Sequence, residues 1–111
     1  MSKKVTQAVI FAGGLGTRLK PFTNTAPKPM YPINNIPFID YLIRQMKSFG
    51  MEEVLLLLGY LPEKIMDYLG GGSRYGLTIN YDITPVEYDT GMRIKQAALQ
   101  IADKFLLLYC D

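Results

Sequence analysis

Hydrophobic and polar positions follow two different rhythms along the chain. Thr6 to Ala12 is a short β-rich run ending on Gly13-Gly14, the pattern of a buried strand that enters a tight loop. Glu53 to Tyr60 and Phe105 to Cys110 are continuous apolar runs. Both are far shorter than the ~18 apolar residues of a membrane span, so both predict buried strands. Leu77 to Ile83, LTINYDI, alternates and predicts another strand. Elsewhere the period lengthens. Phe38, Ile39, Leu42, Ile43, Met46 and Phe49 share one helical face, with Pro37 as the first helical residue and Gly50 as the C-terminal cap. Leu61 to Leu69, opened by Pro62 and stopped by Gly70-Gly71-Gly72, predicts a short helix. After a linker, Thr84 to Asp89, helical spacing returns from Thr90 to Asp103 through Ile94, Ala97, Ala98 and Ile101. Only Gly13 to Pro37, with three glycines and five prolines, has no period. A stretch of this length without periodicity in a compact domain is usually functional or disordered.

Strands that alternate with helices imply an α/β fold, with parallel strands joined by right-handed crossovers and helices on both faces. Ligands of such sheets bind outside the carboxyl ends of the strands, near the point where strand order reverses. The glycine loop follows the first strand and Asp111 follows the last. With the strand order 3-2-1-4, the loop and Asp111 share one crevice.

At 111 residues, 49% hydrophobic and 20% charged, the chain has the size and composition of one small globular domain and not of a disordered segment. It has no His and a single cysteine, Cys110. This excludes an intramolecular disulfide, Ser-His-Asp or Cys-His catalysis, and most transition-metal sites built from this chain alone. MSKKVTQ lacks the apolar core and cleavage site of a signal peptide, so a cytoplasmic protein is expected. Charge is uneven: residues 1–50 hold seven Lys or Arg against one acid, a balance of +6, and residues 51–111 hold five against nine, a balance of −4. The basic half is where an anion would dock.

Within it, Gly13-Gly14-Leu15-Gly16-Thr17-Arg18-Leu19 carries the strongest signal. Glycines directly after a strand let backbone N–H groups approach a phosphate. No Gly-Lys-Ser/Thr follows, so this is not a Walker loop, and Leu19 stands where a dinucleotide fingerprint needs its third glycine. Alone, the loop could as readily be a simple turn, and Lys28 a surface lysine. Together with Arg18 and the proline-bracketed Lys28, it supplies what a polyphosphate requires: amides to orient it, a guanidinium to grip two oxygens and an ammonium to offset charge.

GGLGTRLKPFTNTAPKPM, Gly13 to Met30, resembles the signature of the sugar-1-phosphate nucleotidyltransferases, and the resemblance continues through Pro37 to Tyr60 and Phe105 to Asp111. It implies a Rossmann-like three-layer sandwich with a mainly parallel sheet. Residues 1–111 would be the nucleotide-binding, N-terminal part of a larger domain whose sugar-binding part lies beyond them. The implied reaction is magnesium-dependent: a nucleoside triphosphate and a sugar 1-phosphate give a nucleoside diphosphate sugar and pyrophosphate. Carried over by position, Ala12, Gly13, Gly14, Gly16 and Thr17 would contact the nucleotide. Arg18 and Lys28 would be catalytic, and Asp111 would bind Mg²⁺. No nucleic acid or membrane partner is implied; a homo-oligomer is compatible with the family. Phosphoryl transfer depends on positioning and electrostatics, so the absence of histidine is no obstacle.

Tyr88-Asp89-Thr90-Gly91-Met92-Arg93-Ile94-Lys95 departs from the family's common pattern, although Thr90 and Gly91 match it. The form is closer to the glucose-1-phosphate cytidylyltransferase branch, which would put Thr90, Gly91 and Arg93 near the nucleotide. Otherwise Arg93 is an exposed residue of a helix's first turn. The base stays open among cytidine, guanosine, thymidine and uridine. Two other functions compete: a noncatalytic nucleotide-binding or regulatory module, in which case this chain alone turns nothing over, and a dinucleotide-dependent oxidoreductase domain, which Leu19 argues against.

Overall fold

The computed structural model describes residues 4–110, apart from the side chain of Thr17. β1 (Gln7–Phe11) is buried over its whole length. The segment after it, without period in the sequence, is ordered by three 3-10 turns, Thr17–Leu19, Phe22–Asn24 and Lys28–Met30. A small hairpin of β2 (Pro32–Ile33) and β3 (Ile36–Pro37) follows. Asn34 and Asn35 close it at φ 52° and 65°, the left-handed pair that a two-residue hairpin turn demands and that Asn tolerates. That Asn-Asn pair between Ile33 and Ile36 was the sequence signal for the hairpin.

α1 (Phe38–Ser48) buries Ile39, Leu42, Ile43 and Met46, as its apolar spacing predicts. Pro37 stands just before its first turn, in extended backbone, not inside it. Gly50, at φ 89°, ends the helix as expected. The N–H groups of Gly50 and Met51 donate back to the carbonyls of Lys47 and Met46, which satisfies two orphan acceptors of the last turn. β4 (Glu53–Leu58) is fully buried from Val54 onwards, and α2 (Pro62–Leu69) turns Ile65 and Leu69 inward. β5 (Thr78–Ile83), α3 (Thr90–Ala97) and β6 (Leu106–Tyr109) complete the order.

The main sheet runs β5-β4-β1-β6, all parallel, which is the expected 3-2-1-4 order of the four principal strands. Side chains alternate across it. Ala8, Ile10, Val54, Leu56 and Leu58 pack under α1 and α2; Val9, Phe11, Leu55 and Leu57 pack under α3. Burial of each such Ile, Leu or Val contributes roughly 1.5–3 kcal/mol. No helix among the described residues is long and apolar enough to cross a membrane.

Two expectations are corrected. The last helix ends at Ala97, with a 3-10 turn Ala98–Gln100, instead of reaching Asp103. Ala98 and Leu99 are exposed and bury nothing that would hold further turns. The buried Gln7 amide takes over the helix's role here: its Nε2 donates to the Gln100 carbonyl and its Oε1 accepts from the Ala102 N–H. Secondly, Phe105 to Cys110 forms a strand but not a buried one. β6 lies at the sheet edge, with Leu107 39% and Tyr109 57% exposed, because only β1 pairs with it among the described residues.

Candidate functional site

A cleft of about 360 Å³ opens at the carboxyl ends of β1 and β6, where strand order reverses. Its floor is Phe11, Ala12 and Gly13 at the end of β1 and Cys110 after β6. Gly14, Gly16, Lys28 and Pro29 form one wall; Val86, Tyr88, Asp89, Thr90 and Arg93 form the other. Among the described residues two cations, Lys28 and Arg93, and one carboxylate, Asp89, line the cleft; the Asp89 Oδ1 accepts the Met92 N–H at 2.8 Å as the cap of α3.

The three loop glycines are needed for different reasons. Gly16 sits at φ 64°, and a Cβ there would lie 2.9 Å from the Lys28 Cβ, so the turn itself requires glycine. Thr23 fixes this turn by donating its hydroxyl to the Gly16 carbonyl at 2.9 Å, while the Tyr60 hydroxyl donates to the Thr23 carbonyl. Gly13 is packed against Arg93, whose Nη1 would lie 1.7 Å from an added Cβ. Gly14 has neither constraint: a Cβ would meet nothing within 4 Å and its φ is not left-handed. Gly14 lines the cleft, and the space a side chain would take there is open.

Arg93 is 5% exposed, so the reading of an exposed first-turn arginine is wrong. Its Nε donates to the Tyr88 carbonyl at 3.0 Å and its Nη2 to the Val86 carbonyl at 3.2 Å, with a long contact of 3.5 Å to the Gly13 carbonyl. Nη1 is buried without a hydrogen-bond partner among the described residues. Burial lowers the Arg93 pKa from its usual value. Gly59, at the end of β4, makes room for the guanidinium from the other side. The sequence reading missed Gly59, Asp89 and Tyr88. Asp89 was legible as the Asp that precedes a helix; Gly59 was hidden inside an apolar run.

Of the residues singled out from sequence, Ala12, Gly13, Gly14, Gly16, Lys28, Thr90 and Arg93 converge on this cleft. Gly91 is exposed on the first turn of α3, beside Asp89. Arg18 is exposed two residues beyond Gly16 and does not line the cleft. Asp111 lies outside the described residues, immediately after the cleft-lining Cys110. The described residues alone do not fit magnesium. They contain no group of three or more His, Cys, Asp or Glu able to hold a metal, and the one carboxylate they bring to the cleft, Asp89, caps α3 through its Oδ1.

Comparison with known proteins agrees with this geometry. The Nucleotidyl transferase family model matches residues 7–111. D-glycero-alpha-D-manno-heptose 1-phosphate guanylyltransferase of Aneurinibacillus thermoaerophilus is 42% identical over 82% of this chain and 39% of its own length. The Campylobacter jejuni protein of the same name is 37% identical over 95% of this chain and 47% of its own. The chain thus spans less than half the length of these curated relatives. Among solved structures, HddC from Yersinia pseudotuberculosis superposes with a TM-score of 0.83 at 34% identity, covering 96% of this chain and 48% of that one. A cleft of amides and cations at the switch point, the Gly13–Met30 motif and a family match over nearly the whole sequence lead to one conclusion: the chain belongs to the nucleotidyl transferase family.

Proposed function

We propose that residues 1–111 form the nucleotide-binding part of a cytoplasmic enzyme that joins a nucleoside triphosphate to a sugar 1-phosphate, releasing pyrophosphate. Guanosine is the base favoured by the relatives, two of which are named heptose 1-phosphate guanylyltransferases. The observation that carries the reading is Gly14, a glycine for which the fold has no need, at the mouth of a cationic cleft. There the loop N–H groups can approach phosphate oxygens without a side chain in the way.

In this reading Ala12, Gly13, Gly14, Gly16 and Thr17 cradle the triphosphate, with Thr90, Gly91 and Arg93 closing the nucleotide site from α3. Lys28, held between Pro27 and Pro29, offsets charge at the α-phosphate; the exposed Arg18 turns onto the departing pyrophosphate. A sugar-phosphate oxygen attacks the α-phosphorus in line, the α–β bridging P–O bond breaks, and pyrophosphate leaves with that electron pair. Enzymes of this family generally use a divalent metal, which would supply further charge stabilisation at the phosphates. Asp111 is the proposed ligand, its carboxylate supplemented from the sugar-binding part of the larger domain.

Alanine at Lys28 or Arg18 is expected to lower turnover of an active form by about 10²-fold or more with little change in melting temperature, as loss of a transition-state charge contact does. The check is pyrophosphate release under saturating substrates. Unchanged rates in either variant would remove that residue from the mechanism.

A further inference from the structure

The Arg93 guanidinium occupies a slot made by two absent side chains. A Cβ on Gly13 would lie 1.7 Å from its Nη1, and a Cβ on Gly59 would lie 2.9 Å from Nη1, 3.1 Å from Nη2 and 2.8 Å from the Gly13 carbonyl oxygen. The slot is closed by carbonyls of the segment after β5, Val86 and Tyr88, and all of Arg93's hydrogen bonds go to neutral carbonyls. The Gly13 carbonyl is also held by the Tyr60 N–H at 3.2 Å, so the start of the glycine loop is pinned between β4 and the guanidinium. A buried cation with, among the described residues, no carboxylate on it and both N–H groups of Nη1 unpartnered is costly to keep. Its location directly beneath a phosphate-binding loop gives that cost a purpose.

We propose that Arg93 and Gly59 are positioning residues for the triphosphate: Gly59 admits the guanidinium beneath Gly13, where it sets the height of the loop and supplies a fixed charge that an anion above balances. This rests on the nucleotidyl-transfer reading and makes it more specific, because Arg93 then serves the phosphates and not the base. A base-contacting Arg93 would discriminate among nucleosides; a loop-bracing Arg93 would not.

The test is titration of inorganic tripolyphosphate and, separately, of guanosine into the chain and its variants by calorimetry, with melting curves alongside. Gly59→Ala is expected to weaken tripolyphosphate binding by about tenfold or more, because a displaced loop loses its aligned donors, and to leave guanosine binding unchanged. Arg93→Lys keeps the charge without the planar fork and is expected to do the same. In Arg93→Ala the guanidinium is gone and, of the contacts a Gly59 Cβ would crowd, the Gly13 carbonyl oxygen remains, so adding Gly59→Ala should then cost less than it does alone, though not nothing. Folded Gly59→Ala with wild-type tripolyphosphate affinity would overturn the proposal. So would losses that multiply independently in the double variant. Should Gly59→Ala not fold, Arg93→Lys decides: intact tripolyphosphate binding, or a parallel loss of guanosine, contradicts the positioning role. A wild-type chain that binds neither probe would instead overturn the nucleotidyl-transfer reading, and this inference with it.

Discussion

Single atoms decide the chemistry of the cleft. Gly14 and Gly16 differ by two positions, yet a Cβ on the first would meet nothing within 4 Å and the second is required by a left-handed turn. Gly14→Ala is therefore expected to fold with stability within about 0.5 kcal/mol of wild type while losing triphosphate affinity. Gly16→Ala should lose about 1 kcal/mol or more of stability, since Ala at φ 64° is strained and its Cβ crowds Lys28. Urea denaturation with parallel nucleotide titration separates the two effects; equal stability losses would refute the distinction. The loop side of the cleft, Gly13, Gly14, Gly16, Lys28 and Pro29, was legible because it sits in one contiguous motif of unusual Gly and Pro-Lys-Pro composition. Arg93 was named but its environment was not, because burial depends on Gly59 and on carbonyls that no local pattern announces. Asp111 can be assigned from the resemblance alone.

Elements are held by contacts that composition conceals. Asp40, the one acid of the basic half, is 3% exposed in the first turn of α1. It accepts from Arg44 Nε at 2.7 Å, Tyr75 OH at 2.7 Å and Tyr68 OH at 3.0 Å, and Arg74 in turn donates to the Tyr75 hydroxyl and the Tyr68 carbonyl. Burial by itself would raise the Asp40 pKa, but these donors together outweigh it and hold the carboxyl below the usual carboxylate value. A folded pKa below the unfolded one means a contribution to stability that is present above the unfolded value of about 3.9 and lost as pH falls through the folded one. Tyr75, buried and bonded to Asp40, is pushed up to about 12. Its contribution is present below about 10 and lost as pH rises toward 12. Asp40→Asn is accordingly expected to lower stability at neutral pH and to flatten its fall below pH about 4. Melting temperatures across that range provide the check; an unchanged acid limb would show that Asp40 is not the titrating group. Strand and helix positions themselves were readable, since α1 has a clean helical period and β4 is a continuous apolar run. The end of α3 was not, because it depends on Gln7, some ninety residues away in sequence.

At the scale of the molecule, the sheet stops at β6 with apolar side chains in solvent. Tyr109 stacks on Phe11 at 5.0 Å but remains 57% exposed, and Leu107 and the wholly exposed Leu99 lie nearby in sequence. Unpaired strand edges of this composition template association. The chain is expected to self-associate with rising concentration in sedimentation velocity, and Leu107→Lys to reduce it; a strict monomer at high concentration would contradict this. Relatives about twice as long match over this same stretch, which makes the fate of that edge and the completion of the cleft a single question about the whole protein.

Nucleotidyl transfer at this cleft is the activity we propose. The direct measurement is pyrophosphate release from each nucleoside triphosphate with Mg²⁺ and a panel of sugar 1-phosphates, made on this chain and on any longer natural form that contains it. The expected result is release in step with a nucleoside diphosphate sugar, strongest with GTP, from the longer form and abolished by Lys28→Ala. Binding of nucleotides without pyrophosphate release for any pair in the longer form would contradict it, and would leave a nucleotide-binding module in place of an enzyme.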